Sequence, residues 1–100
     1  MIQVVNIKHH GKDDYKLLKD GVLVHYVYCG RPSKYGNPFV LKSEADRAKV
    51  INKFAVNTLP DLNLSELIEC AKAGDLLLGC YCSPKPCHCD KIKQEIERQL

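Results

Sequence analysis

Cys80, Cys82, Cys87, His88, Cys89 and Asp90 place five soft or borderline ligand groups and a carboxylate within eleven residues. Two chemistries suit that set. Thiolate and imidazole suit tetrahedral zinc, with Cys80, Cys82, Cys87 and His88 as the ligands to expect. The spacing is unlike the two separated two-ligand knuckles of zinc ribbons, and Cys80 and Cys82 fall on opposite faces of a regular strand. In the other chemistry no metal or cofactor is needed. Cys87 and His88 open the last helix, whose unpaired N–H groups and positive dipole end lower a thiol pKa or hold an anion. Cys87 is then the nucleophile and His88 its acid or base, while Asp90 caps the helix or orients His88. Lys85 adds positive charge. Cys29 and Cys70 read as small buried hydrophobes, and His9, His10 and His25 as solvated or hydrogen-bonded side chains.

A second unusual segment precedes this one. Between Gly30 and Phe39, Arg31 offers a planar fork of donors, Lys34 a point charge, and Ser33 and Asn37 neutral polar groups. Gly30 and Gly36 let the backbone approach a ligand. That inventory suits phosphate or carboxylate. The plainer account is a rigid Pro/Gly turn in which Arg31 pairs with a structural carboxylate.

The elements that must position these loops are short. Ile2 to Ile7 has the β-branched content of a strand. Tyr15 to Leu18 is a weaker strand, joined through the Lys19-Asp20-Gly21 turn to a strong one from Val22 to Tyr28. Ser43 to about Pro60 reads as a four-turn helix, and Asn63 to Gly74 as a second. Asp75 to Cys82 is an apolar run of strand length, expected to be central and covered on both faces. From Cys87 onward, Ile92, Ile96 and Leu100 mark a terminal helix. The order predicts a single α/β domain over 1–100, a two- or three-layer sandwich with a short, mostly parallel sheet of three or four strands and three helices. If the Val22 and Leu76 strands are parallel, both loops leave the carboxyl edge of the sheet, where open α/β sheets bind ligands.

One hundred residues suffice for one core. Fifteen Lys/Arg against twelve Asp/Glu give +3, too mild an excess to predict a nucleic-acid binder by charge alone. No apolar run approaches membrane-span length, and no export signal opens the chain, so the expectation is a cytoplasmic protein with no membrane partner. Six cysteines in that setting point to metal or reactivity rather than disulfides.

Two long stretches carry a resemblance. Tyr28 to Phe39, YCGRPSKYGNPF, resembles the signature YIGRPSKWGNPF, and Leu78 to His88, LGCYCSPKPCH, resembles LGCWCAPKPCH, both of the domain-of-unknown-function family 4326 of bacterial and bacteriophage proteins. Val4-Val5-Asn6-Ile7 also matches that family's beginning. The resemblance transfers no established activity. It marks Arg31, Ser33, Lys34, Gly36 and Asn37, and Cys80, Cys82, Cys87, His88 and Asp90, as signature positions. Relatives commonly carry Gly at the place of Cys89, which argues against Cys89 as a ligand, and Gly11 to Leu23 resembles an insertion. The expectation is a pocket between the two loops that binds, and through Cys87 and His88 modifies, a phosphate-bearing small molecule such as a nucleotide or nucleoside derivative. The alternative is a noncatalytic accessory module that holds zinc and contacts nucleic acid.

Overall fold

A computed structural model describes all of residues 1–100. Four strands, β1 (Ile2–Asn6), β2 (Tyr15–Lys19), β3 (Val22–Tyr28) and β4 (Asp75–Cys80), form one sheet in the order β1-β4-β3-β2. β4 runs parallel to β1 and β3, and β2 is antiparallel to β3. The β2–β3 turn needs two residues with positive φ, and Asp20 (52°) and Gly21 (79°) supply them. The three α-helices are α1 (Arg47–Lys53), α2 (Ser65–Ala73) and α3 (His88–Gln99). No helix is long and apolar enough to cross a membrane.

The register fixes which side chains share a face. Ile2, Leu76 and His25 are aligned across β1, β4 and β3, as are Val4, Leu78 and Val27. This face packs against the helices, with Phe54, Leu64, Leu67, Ile92 and Ile96 in the same core as Leu76 and Leu78. Each of these fully covered side chains contributes about 1.5–3 kcal/mol. The opposite face carries no helix. There the segment after β1 folds back, and the His10 and Tyr15 rings stack on Tyr26 at 5.1 and 5.0 Å. The Tyr26 hydroxyl donates to the Gly11 carbonyl at 2.6 Å. The architecture is therefore two-layered. β4 is central as the apolar run implies, but on the second face Leu77 stays half-buried because only aromatic side chains cover it.

The expected four-turn helix is composite. A 3₁₀ turn (Glu44–Asp46) leads into α1, a wide π-type turn (Phe54–Thr58) follows, and a second 3₁₀ turn (Leu59–Asp61) ends it. Pro60 sits inside that last turn rather than before it, because the first N–H groups of a new turn have no intrahelical partner to lose. β4 also ends at Cys80, two residues before the end of the apolar run.

Burial pushes the Tyr26 phenol up to about 12, and burial with the hydrogen bond to Tyr81 does the same for Tyr28. A phenol held above its unfolded value near 10 stabilises the fold below that pH. That contribution falls away as pH rises from about 10 through about 12. An ultraviolet tyrosinate titration should show at least two of the five tyrosines, Tyr26 and Tyr28, ionising late, merging with the others in denaturant. Simultaneous titration of all five in the folded protein would contradict this packing.

Candidate functional site

β3 and β4 are parallel neighbours, so their carboxyl ends release both loops at one edge of the sheet. The Cys29 N–H, just past β3, still donates to the Gly79 carbonyl of β4 at 2.9 Å. Beyond that rung the loops border one cavity of about 450 Å³. Arg31, Asn37 and Phe39 line it from the first loop, and Tyr81, Cys82 and Cys87 from the second. Arg47 and Ile51 close it from α1.

Cys80, at the end of β4, brings its sulfur 3.2 Å from that of Cys87. Cys89 completes a group of three sulfurs that all lie within 4.8 Å of one another. All three residues are buried. Cys80 and Cys87 reach the cavity, while Cys89 lies behind them. Such a buried thiol group could hold a metal ion. S–H donation from Cys87 and Cys89, with the Ser83 N–H at 3.4 Å, holds the Cys80 thiol well below the ordinary range. The hydrogen bond to Cys80 pushes Cys87 up, and contacts with Cys29 and Cys80 push Cys89 up.

This corrects the expectation of a depressed Cys87 thiol. Cys87 does precede α3, but its S–H donates to the Cys80 sulfur at 3.2 Å, a contact that favours negative charge on the strand cysteine over the one at the helix end. The zinc set expected from ligand type changes too. Cys82 lies beyond the strand with its thiol against Arg47, whereas Cys89 joins the cluster. His88 Nε2 is bonded to the buried Cys29 carbonyl at 2.7 Å, and its ring packs edge-on against Phe54 at 5.0 Å. Burial lowers the His88 pKa, and the ring donates its Nε2 proton to that carbonyl. Asp90 accepts from the Cys87 N–H at 2.9 Å, which makes it a helix cap and not an orienter of His88.

The first loop divides in the same way. Arg31 is exposed at the cavity and makes no ion pair within the chain. Asn37 borders the cavity, but its side chain is used to shape the loop, donating to the Val50 carbonyl and accepting from the Phe39 N–H. Lys34 turns away and pairs with Glu66 at 3.5 Å, its ammonium 5.1 Å from the Tyr35 ring centroid. Ser33 Oγ is buried away from the cavity without a partner. A Cβ on Gly36 would lie 3.0 Å from Arg31 Cγ, so this glycine admits the loop's own backbone and not a ligand. Lys85 pairs with Glu44 at 3.5 Å.

Two cavity residues escape sequence reasoning. Arg47 has a side chain only 14% exposed. It grips Glu44 through Nε (2.9 Å) and Nη2 (2.7 Å) and donates to the Pro86 carbonyl at 3.0 Å, tying α1 to the second loop. This pairing holds the Glu44 carboxyl down at about 2. A cation in a first helical turn, where the dipole favours acids, was the available signal. Tyr81, read as strand interior, is 55% exposed at the cavity edge. The Lys12 ammonium lies 5.4 Å from its ring centroid.

The family model for the domain of unknown function 4326 matches residues 8–98, and the chain belongs to that family. No curated protein and no solved structure matches the chain.

Proposed function

We propose that the protein binds a phosphate-bearing nucleotide or nucleoside derivative in the cavity between its two signature loops. The observation that carries this reading is the convergence of an unpaired guanidinium, Arg31, with an exposed aromatic ring, Tyr81, on one cavity of about 450 Å³. That volume falls in the range of small-molecule sites. Arg31 presents two parallel donors to a phosphate. Tyr81 and Phe39 offer faces on which a base stacks, an interaction worth about 1–3 kcal/mol. Lys12 beside Tyr81 adds positive charge for an anion. Arg47, engaged by Glu44 and Pro86, acts through the wall it builds.

Thermal-shift and calorimetric titration with mono-, di- and cyclic nucleotides tests the reading. A ligand should raise the melting temperature of wild type, and Arg31→Ala should weaken it at least about tenfold, the loss expected for a charge-assisted hydrogen bond. Tyr81→Ala should weaken nucleotides while leaving inorganic phosphate unchanged. Indifference of every nucleotide to both substitutions would remove the proposal.

A second reading, a noncatalytic module that holds zinc and contacts nucleic-acid phosphates through Arg31, is favoured by a separate observation: the three clustered sulfurs of Cys80, Cys87 and Cys89. Stoichiometric zinc in purified protein, together with oligonucleotide binding that weakens steeply with salt, would select it over the first.

A further inference from the structure

The sulfur cluster has a coordination geometry that can be read from its neighbours. Zinc–sulfur bonds of about 2.3 Å set neighbouring sulfurs about 3.8 Å apart around a tetrahedral ion. The three sulfurs here lie within 4.8 Å of one another, with Cys80 and Cys87 at 3.2 Å, so small side-chain rotations centre an ion among them. Resting on the zinc reading, we propose that Cys80, Cys87 and Cys89 hold one Zn(II) as thiolates and leave its fourth position open to the cavity, for a phosphate oxygen to occupy.

The fourth position falls to an outside ligand by elimination. His88 Nε2 comes within 3.9 Å of the Cys89 sulfur but is committed to the Cys29 carbonyl at 2.7 Å, and it is not part of the sulfur group. Asp90 accepts from the Cys87 N–H. Cys82 faces Arg47, outside the cluster. Cys29 touches Cys89 but gives its S–H to the Val27 carbonyl at 3.5 Å, and its sulfur is not among the three. Cys80 and Cys87 border the cavity, so the unfilled side of the ion faces it.

Charge selects the ion. Three thiolates with a dipositive ion leave one net negative charge, against two for a monopositive ion such as Cu(I), and each buried charge is costly. The N-terminus of α3, which Cys87 caps, lies at the cluster and favours that remaining negative charge.

The test uses the reduced, chelator-stripped full chain titrated with Co(II), and zinc by competition. One equivalent should bind, with sulfur-to-cobalt charge-transfer absorbance corresponding to three thiolates. Cys80→Ala and Cys89→Ala should each weaken binding about a hundredfold, while Cys82→Ala should change it less than about twofold and Cys29→Ala should not weaken it. Inorganic phosphate should shift the cobalt ligand-field bands saturably. Four-thiolate absorbance, loss of binding in Cys29→Ala or Cys82→Ala, or bands indifferent to phosphate would overturn the open site while leaving a zinc module intact. Failure of both metals to bind would overturn the zinc reading as well. Circular dichroism checks that the variants fold, and the phosphate response of wild type decides the matter if Cys80→Ala does not.

Discussion

Gly79→Ala should destabilise the protein by about 3 kcal/mol, at the upper end of the usual cost of overpacking a core. Gly79 is paired with Tyr28 in the β3–β4 register, on the face away from the helices. A Cβ there would lie 2.5 Å from Tyr26 Cζ and 2.6 Å from Cε1, and closer still to the hydroxyl. Tyr26 is fully buried, lies against the His10 and Tyr15 rings, and is bonded to Gly11, so the ring cannot swing aside without dismantling that aromatic stack. For a domain of this size the melting temperature should fall by roughly 12–24 °C. Pairing Gly79→Ala with Tyr26→Val should recover part of the loss, since the two changes share one contact. A Gly79→Ala variant within about 0.5 kcal/mol of wild type would mean that the ring is free to move. The consequence reaches the site, because the next residue along β4 is Cys80.

How much of this was legible in the sequence varied with the kind of interaction. The strands and the parallel β3–β4 pairing follow from apolar runs and a long crossover, signals that are local and repeated. The two loops at one sheet edge follow from that pairing, and the shared cavity follows in turn. Layer number is a different matter: Leu76-Leu77-Leu78 reads as covered on both faces, yet the second face is closed by His10, Tyr15 and Tyr26, side chains from three separate segments. The individual roles in the site were least legible. Lys34 and Lys85 look like anion ligands by type, but each has a carboxylate within 3.5 Å from a distant helical segment, Glu66 and Glu44. Cys89 looked expendable beside relatives that carry Gly, and its sulfur nevertheless completes the cluster. Alternation along a strand says which face Cys80 takes. It does not say that a helix entering from another part of the chain will deliver Cys87 and Cys89 to the same point.

His88→Ala should cost about 3–4 kcal/mol, a loss that separates a structural histidine from an acid–base one. Two terms add. The Cys29 carbonyl, buried and served by Nε2 at 2.7 Å, would lose its donor, at about 1–3 kcal/mol. The void left beside Phe54, fully buried and 5.0 Å from the imidazole centroid, contributes the rest, in proportion to how little the core closes over it. His88→Gln keeps a donor on a side chain of similar reach and should recover at least about 1 kcal/mol in urea unfolding. Cys29 is one residue from Gly30 and two from Arg31, so loosening its carbonyl displaces the guanidinium that faces the cavity. If the cavity binds a nucleotide as proposed, its affinity should therefore fall in His88→Ala and return in part with His88→Gln. A general acid or base at this position would behave in the opposite way: stability and affinity would survive alanine, and turnover would be lost in both variants, because an amide cannot exchange a proton near neutral pH.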